Sequence, residues 1–391
     1  MKQVNLGEIV SPVELVDTLI NQAVHKGASD IHLESTEKGL RIRFRVDGML
    51  FDHAEINKEL MPQVLSRIKV LAHINLAEKR VPQDGKFRMI INEHPIDMRV
   101  SMFPSVYGQK AVIRILDRSK TMIHLDHLGF DPYTLARFRQ LINKPQGFLI
   151  VTGPTGSGKT TTLYGALAEL NSPEKNIVTL EDPVEYHLDG IVQGNIHPDA
   201  GFTFAKGIRS ILRQDPDIAL VGEVRDQESA RIAIEAALTG HLVLSTLHTN
   251  DAPGAIMRLM DMAIEPFLIN AAVSGVLAQR LARQNCKGCT ESYAPGDEEK
   301  GLMERFEVEL PIMFKGNGCQ MCNNLGYKGR TGIFELLVMT PDMRSLIVQQ
   351  PNFDAIQTQA RKDGMKTLLQ DALVKLKDGL ITFDELVRVV A

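Results

Sequence analysis

Gly153-Pro154-Thr155-Gly156-Ser157-Gly158-Lys159-Thr160 is the stretch that decides the fold of this 391-residue chain. It matches the P-loop pattern G-x-x-x-x-G-K-S/T at every fixed position. An apolar run at 148–151 precedes it and a helix-competent run at 161–168 follows it, which is the context that the motif requires. The glycines let backbone N–H groups converge on a phosphate at the positive end of the helix. We therefore predict that these eight residues bind a nucleoside triphosphate, with Lys159 at the β- and γ-phosphates and Thr160 as a ligand of Mg²⁺.

The composition indicates a globular protein with two or three domains, since 44% of the residues are hydrophobic and 24% are charged. The net charge of −4 and the aromatic content of 5% argue against direct binding of nucleic acid. The apolar run at 267–278 is too short to span a bilayer, and the first eight residues lack the apolar core of a signal peptide. We therefore expect a cytoplasmic protein.

The first part of the chain shows separate helical and strand patterns. Ser11 and Glu14 predict a capping box at the start of a helix that ends at Gly27. A second helix is predicted at 58–72, and strands are predicted at 39–50, 87–91, 96–103 and 111–116. Helices segregated from antiparallel strands predict a small α+β domain over residues 1–116, followed by a linker at 117–130.

Strands and helices then alternate around the P-loop, which predicts a parallel sheet within a domain at 131–391. Its strands are predicted at 148–151, 177–180, 218–221 and 242–245, with helices at 204–213 and 227–238. Helical periodicity is also present at 251–283 and again in the C-terminal helices at 340–391.

Acidic residues follow two of these strands at the edge that carries the P-loop. Glu181 ends the second strand, and we predict that it orients the attacking water, with Asp182 and Glu185 as competing choices. Glu223 follows the third strand, where a Walker B segment usually has an aspartate. His248 lies just past the fourth strand, and its position alone fits a structural hydrogen bond as well as a catalytic role.

Two pairs of arginines are candidates for contact with phosphate. Arg99 and Arg114 lie on strands of the first domain, where they either form structural ion pairs or act as arginine fingers delivered to another domain. Arg209 and Arg213 lie four residues apart on one helix face, where they either bind phosphate or line a subunit contact.

The four cysteines fall in two C-x-x-C pairs, Cys286 with Cys289 and Cys319 with Cys322. Two such pairs are typical of a tetrahedral zinc site, although unpaired thiols or a redox disulfide are alternatives. Four protein ligands leave no open position on the metal, so we predict a structural zinc site within residues 286–322.

Four segments in order resemble the motifs of the secretion and pilus motor ATPases. Residues 153–160, 181–185, 215–223 and 246–249 are similar to that family's Walker A motif, aspartate box, atypical Walker B motif and histidine box. Residues 80–85 and 102–108 resemble the family's second N-terminal domain, so the resemblance covers about residues 10–391. The retraction motors of this family generally lack such cysteine pairs. The pairs therefore narrow the resemblance to the type II secretion and type IV pilus assembly ATPases, the GspE/PilB group.

This resemblance implies an α/β fold: a RecA-like P-loop ATPase domain with a parallel sheet, preceded by a small α+β (PAS-like) domain and carrying a C-terminal four-cysteine zinc subdomain and helices. It implies ATP, Mg²⁺ and Zn²⁺ as ligands, and Glu181 and Glu223 as the catalytic and Walker B carboxylates. It also implies that Arg99 and Arg114 approach the nucleotide phosphates and that His248 is catalytic. Only a few residues precede the second N-terminal domain, so we expect the family's first N-terminal domain to be missing from this chain.

The resemblance further implies a hexameric motor, peripheral to the inner membrane, that drives assembly of type IV pili or secretion pseudopili through a polytopic platform protein. The alternative is a DNA-uptake or nucleic-acid-translocating ATPase, which the acidic balance and the scarcity of aromatic residues disfavour.

Overall fold

Two separately packed units make up the chain, Met1–Thr121 and Met122–Ala391. The computed structural model describes residues 11–117, 124–306 and 308–390. Part of the predicted linker, at 118–123, lies outside these residues.

Within residues 11–117, the first unit contains six antiparallel strands and two helices. The elements are α1 (Pro12–His25), β1 (Ala28–Ser35), β2 (Gly39–Val46), β3 (Met49–Asn57), α2 (Met61–Leu71), β4 (Gln83–Ile91), β5 (His94–Ser105) and β6 (Gly108–Asp117). The sheet order is β3-β2-β1-β6-β5-β4. The α+β prediction found β2 and β4 to β6, but its strand at 39–50 ran through the turn at 47–48 into β3. It missed β1 and the rest of β3, because β1 mixes polar with apolar residues and β3 is exposed or half-exposed at all but one position. Ser11 precedes α1 as predicted, but its side chain makes no capping hydrogen bond, so the predicted capping box does not form.

One face of this sheet carries a row of basic residues across several strands. Arg99 on β5 lies directly opposite Arg114 on β6, and Arg114 lies opposite Asp30 on β1. The Arg114 Nε atom is 3.1 Å from the Asp30 carboxylate, and Arg45 Nε is 3.8 Å from it on the other side. Because register partners share a face, Arg99 and Arg114 project together from the sheet.

A seven-stranded sheet with helices on both faces forms the second unit. Its order is β15-β12-β7-β11-β10-β8-β9, and all neighbours are parallel except β12 and β15. The elements from its start to the last helix before β12 are α3 (Pro132–Ile142), β7 (Gly147–Thr152), α4 (Lys159–Leu170), β8 (Ile177–Glu181), β9 (Val192–Asn195), α5 (Phe204–Ile211), β10 (Ile218–Val221), α6 (Gln227–Leu238), β11 (Leu242–Leu247), α7 (Ala252–Asp261) and α8 (Pro266–Ala272). The parallel sheet predicted from the sequence is therefore confirmed.

The central strands β7, β8, β10 and β11 are buried along their whole length. Both faces of each strand are covered, so the strands are nearly continuous apolar runs rather than alternating ones. The carboxyl ends of these four strands lie at one edge of the sheet, and the P-loop connects β7 to α4 at that edge.

The remaining elements extend the sheet and build the C-terminal part: β12 (Val273–Asn285), β13 (Thr290–Tyr293), α9 (Asp297–Arg305), β14 (Met313–Gly316), β15 (Tyr327–Val338), α10 (Pro341–Ile347), α11 (Phe353–Lys362), α12 (Leu368–Lys377) and α13 (Phe383–Val390). The helical prediction for 251–283 is wrong beyond Ala272, because β12 occupies the rest. Residues 273, 276, 277 and 281 have helical spacing, but this strand is covered on both faces and its apolar residues need not alternate.

The predicted C-terminal helices are present, with stops at Gly364 and Gly379. Both glycines have positive φ angles, 88° and 69°, which favour a residue without a Cβ atom. No helix within residues 11–117, 124–306 and 308–390 is both long and apolar enough to cross a lipid bilayer.

Candidate functional site

The P-loop has the backbone geometry of a phosphate cradle. Gly156 and Gly158 have φ angles of 78° and 87°, a region that side chains with a Cβ atom rarely adopt. A Cβ atom on Gly153 would lie 2.4 Å from the carbonyl oxygen of Gln279 on β12, so only glycine fits there. The loop leads directly into α4, whose first turn offers unpaired N–H groups to an anion. These features fit the triphosphate site predicted from the sequence.

Lys159 lies over the P-loop in this structure. Its Nζ atom donates to the carbonyl oxygens of Gly153, at 2.8 Å, and of Pro154, at 3.1 Å. Burial lowers the pKa of Lys159, and the carboxylate of Glu223 opposes that shift. An ammonium that donates to two neutral carbonyl groups is suited to pair with an incoming phosphate oxygen.

Glu223 and His248 lie close together at the same sheet edge, after β10 and β11. His248 Nε2 is 3.6 Å from a carboxylate oxygen of Glu223, whose other oxygen accepts a hydrogen bond from Arg225. The Glu223 side chain is 18% exposed and that of His248 is 51% exposed, so both are accessible to a ligand. Burial and the charge of Lys159 lower the pKa of His248, and the carboxylate of Glu223 opposes that shift. The structure thus brings three of the candidate site residues, Lys159, Glu223 and His248, to the same sheet edge.

Glu181 lies at the end of β8 but inside the protein, with an exposure of 4%. One carboxylate oxygen accepts from Thr179 Oγ1 at 2.6 Å and from Gln193 Nε2 at 3.4 Å, and the other accepts from the hydroxyl of Tyr164 on α4. Burial raises the pKa of Glu181, and the hydrogen bonds from Thr179 and Tyr164 oppose that rise. Both carboxylate oxygens of Glu181 are therefore hydrogen-bonded within the chain in this structure.

The competing carboxylates identified from the sequence, Asp182 and Glu185, are more accessible than Glu181. Asp182 lies 3.8 Å from Arg225, and the backbone N–H of Glu185 donates to the Tyr164 hydroxyl at 3.4 Å. Tyr164 therefore joins α4 to the segment that follows β8. Sequence reasoning missed Tyr164, because a tyrosine on an apolar helix face has the pattern of an ordinary core residue.

The second arginine pair has partners of its own. Arg209 on α5 pairs with Glu228 at 2.9 Å, and Arg213 donates to the carbonyl oxygen of Arg209 at 2.8 Å. The carbonyl oxygens of the two residues after Arg213 accept from Asn176, which precedes the amino end of β8. Since the P-loop lies at the carboxyl edge, the structure does not bring Arg213 to the P-loop of its own chain.

The four cysteines meet in one cluster, with sulfur atoms all within 4.8 Å of one another. Three of the sulfur–sulfur distances, Cys286 to Cys319, Cys289 to Cys322 and Cys319 to Cys322, are 3.8 Å. Four Zn–S bonds of about 2.3 Å in a tetrahedron separate the sulfur atoms by about 3.8 Å, so the spacing fits zinc. Burial alone would raise the pKa of the Cys322 thiol. Hydrogen bonds from the backbone N–H groups of Cys319 and Gly326 oppose this effect and help to lower that pKa to about 6.

Comparison with known proteins gives family and fold relatives over nearly the whole chain. The sequence profile of the Type II/IV secretion system protein family matches residues 8–388. Type II secretion system ATPase E of Vibrio cholerae is 47% identical over 377 residues, which cover 96% of this chain and 75% of that protein. Type IV pilus assembly ATPase PilB of Thermus thermophilus is 45% identical over 389 residues, which cover 97% of this chain and 44% of that protein.

Among solved structures, this chain is similar to the pilus retraction motor PilT, crystallised with ADP. The TM-score is 0.65 and the sequence identity is 26%, and the match covers 95% of both chains.

Proposed function

The chain belongs to the Type II/IV secretion system protein family, and from this membership we propose that it is a motor that hydrolyses ATP to drive assembly of type IV pili or type II secretion pseudopili. The relatives named as a secretion ATPase and a pilus assembly ATPase support this proposal. The observation that carries it is the meeting of Lys159, Glu223 and His248 beside the P-loop at one sheet edge.

Each of these groups has a role in phosphoryl transfer, which depends on positioning and on neutralising charge. The P-loop N–H groups and Lys159 bind the phosphates, and Thr160 supplies its hydroxyl to the metal. Mg²⁺, when bound, neutralises negative charge on the phosphates. Glu223 would accept a hydrogen bond from a water molecule beside the phosphates and so orient it. His248 donates one N–H hydrogen bond to an oxygen of the γ-phosphate.

We assign the water-orienting carboxylate to the segment after β8 but prefer Glu185 to Glu181. Glu181 already accepts three side-chain hydrogen bonds inside the core, and it ties β8 to α4 through Tyr164. Glu185 is only half-buried, and its backbone is attached to the same tyrosine. Glu181 then positions Glu185 rather than contacting the nucleotide.

Replacing Glu181 by glutamine is expected to lower kcat for ATP hydrolysis less than about tenfold, because an amide keeps a hydrogen-bonding group for each partner. Glu185→Gln is expected to lower kcat more than about a hundredfold, which is the range for loss of a general base. Steady-state phosphate release by the two purified variants measures this difference. A larger fall in kcat for Glu181→Gln than for Glu185→Gln would instead assign the catalytic role to Glu181.

We also propose that Arg99 and Arg114 supply positive charge to the phosphates during hydrolysis. Their side chains share one face of the first sheet, and Arg114 is 58% exposed although it pairs with Asp30. Movement of the first unit would then be coupled to hydrolysis, which is what a motor requires.

Replacing Arg99 by alanine is expected to leave the Tm within a few degrees of that of wild type and to lower kcat about a hundredfold or more, as for loss of an arginine finger. Arg88→Ala is the matched control, because Arg88 lies on β4 of the same sheet and pairs with the Asp97 carboxylate at 2.6 Å. Phosphate release and thermal unfolding are measured for both. Equal kcat values in Arg99→Ala and Arg88→Ala would show that Arg99 has only a structural role.

The family membership further supports a hexameric assembly that works beside the inner membrane with a polytopic platform protein. Arg209 and Arg213 are then candidates for a contact between subunits, the second of their two predicted roles. In such a ring, the nucleotide site of each chain would be completed within the assembly. The ATPase activity would therefore depend on the protein concentration at which the ring forms.

The test is made in cells that carry Glu223→Gln in place of the wild-type chain, with Glu174→Gln as the control, because Glu174 is an exposed residue between α4 and β8. We expect the first variant alone to lose either surface pili or a secreted enzyme, and the lost structure identifies the system served. Normal pili and normal secretion in the Glu223→Gln strain would contradict the proposed function. Loss of DNA uptake with pili intact would favour the nucleic-acid alternative.

A further inference from the structure

A buried side-chain amide lies against the P-loop and has no role in the proposed hydrolysis of ATP. Gln279 is on β12, the strand beside β7, and is 2% exposed. Its Nε2 atom donates to the carbonyl oxygen of Ser157 at 2.8 Å. Its Oε1 atom accepts from the hydroxyl of Thr162, in the first turn of α4, at 2.7 Å. One amide therefore joins the loop to the helix that follows it.

The two partners fix which way the amide points. Ser157 offers a carbonyl oxygen, which only accepts, so the NH₂ group of Gln279 must face it. The Thr162 hydroxyl then donates to the remaining oxygen. A buried amide with both ends satisfied holds its neighbours in place, because breaking either bond leaves a buried polar atom unpaired.

The bond to Ser157 also sets the direction of the next N–H group in the loop. In a planar trans peptide the C=O of one residue and the N–H of the next point in opposite directions. With the Ser157 oxygen held toward β12, the N–H of Gly158 points away from Gln279. Gly158 is the last glycine before Lys159 and has φ at 87°, so rotation of this peptide meets little steric resistance from Gly158 itself.

The loop and Gln279 also approach so closely that two of the glycines are required. A Cβ atom on Gly158 would lie 2.8 Å from Nε2 of Gln279, and one on Gly153 would lie 2.4 Å from the backbone oxygen of Gln279. That backbone oxygen accepts from Arg280, whose other terminal nitrogen donates to Asn250, two residues after His248. Strand β12 thus contacts the P-loop through Gln279 and the loop that carries His248 through the next residue, Arg280.

From these contacts we propose that Gln279 is a positioning residue that holds the Ser157–Gly158 peptide in the orientation that binds the triphosphate. The proposal rests on the proposed function, because it assumes that the P-loop binds ATP. Gln279 acts through the loop backbone and does not contact the nucleotide. The interaction it supports exists in the bound ground state and in the transition state alike, so it contributes to affinity rather than to the chemical step.

Gln279→Leu is expected to raise KM for ATP about tenfold, which corresponds to about 1.4 kcal/mol of binding, with kcat changed less than about twofold. The same rise is expected in Kd, measured at equilibrium with a fluorescent ATP analogue. Gln284→Leu is the matched control, because Gln284 lies on the same strand and its amide bonds only the exposed carbonyl of Arg330. A purely structural role would instead lower kcat through a smaller folded fraction and leave KM unchanged, and that result would overturn the proposal.

Gln279→Glu gives a second readout that does not depend on the leucine variant folding. The introduced carboxyl is buried, so its pKa is raised and it is protonated as the pH falls. Protonated, it can donate to the Ser157 oxygen as the amide does; ionised, it can only repel that oxygen. We therefore expect the ratio of variant KM to wild-type KM to exceed about ten at pH ~8 and to approach about one at pH ~6.

A ratio that does not change with pH would overturn the proposal. Wild-type protein that binds no ATP would remove the proposed function and this inference together. Wild-type protein with normal ATP affinity, together with a Gln279→Leu variant of unchanged KM, would remove this inference alone.

Discussion

Glu223→Gln is expected to bind ATP with an affinity within about threefold of wild type and to lose at least about a hundredfold in kcat. The glutamine keeps the size of the side chain and one acceptor oxygen, so the P-loop and Lys159 are undisturbed. The change removes the negative charge beside Lys159 and His248, to which we assign the orientation of water and metal. Equilibrium binding of a fluorescent ATP analogue and single-turnover phosphate release measure the two effects separately.

Glu174→Gln is the control for this measurement. Glu174 is an exposed residue between α4 and the amino end of β8, away from the sheet edge that carries the P-loop. Its loss is expected to change neither affinity nor kcat by more than about twofold. A Glu223→Gln variant with near-normal turnover would contradict the Walker B assignment.

Removal of zinc is expected to have the largest effect on stability. The C-x-x-C pairs lie after the carboxyl end of β12 and before the amino end of β15. There the backbone N–H of Cys286 donates to the Gly326 carbonyl oxygen at 2.9 Å. The wild-type chain is expected to contain one zinc per molecule, and Cys286→Ser none. Structural zinc contributes about 10–16 kcal/mol of apparent binding free energy in isolated zinc-finger peptides. We therefore expect Cys286→Ser to lower the free energy of unfolding by several kcal/mol, seen as a fall in Tm.

Lys287→Ser is the control, because Lys287 is an exposed residue between the two cysteines of the same pair. It is expected to keep its zinc and its Tm. Metal analysis by mass spectrometry and thiol titration of the native protein are done on the same samples. A folded wild-type chain that holds no metal and has four titratable thiols would contradict the zinc prediction.

The parallel sheet was predictable because its central strands are short apolar runs between loop signals. Residues 218–221 are predicted and observed as a strand with no difference in length, since a strand buried on both faces leaves a clear run of apolar side chains. The same burial explains the failure at β12. There the run from Val273 to Ala278 is also buried throughout, and periodicity alone does not distinguish a buried strand from a buried helix.

The site was predictable where a local motif carries the chemistry and was missed where the partner is distant in sequence. The P-loop and the cysteine pairs are recognisable from spacing alone. Gln279 and Ser157 are 122 residues apart, and no local pattern links an amide on one strand to a loop on another. Glu181 is a similar case, since its position at the end of a strand does not reveal that Tyr164 and Gln193 bond to it from other parts of the chain.

The most direct test of the account is phosphate release from ATP by the purified wild-type chain in Mg²⁺, compared with Lys159→Ala. We predict steady release by wild type that requires Mg²⁺, and release by the variant reduced at least about a hundredfold, because the Nζ charge that binds the phosphates is gone. Release at the same rate by both proteins, or no release by wild type at any protein concentration, would contradict the central claim that this P-loop hydrolyses ATP.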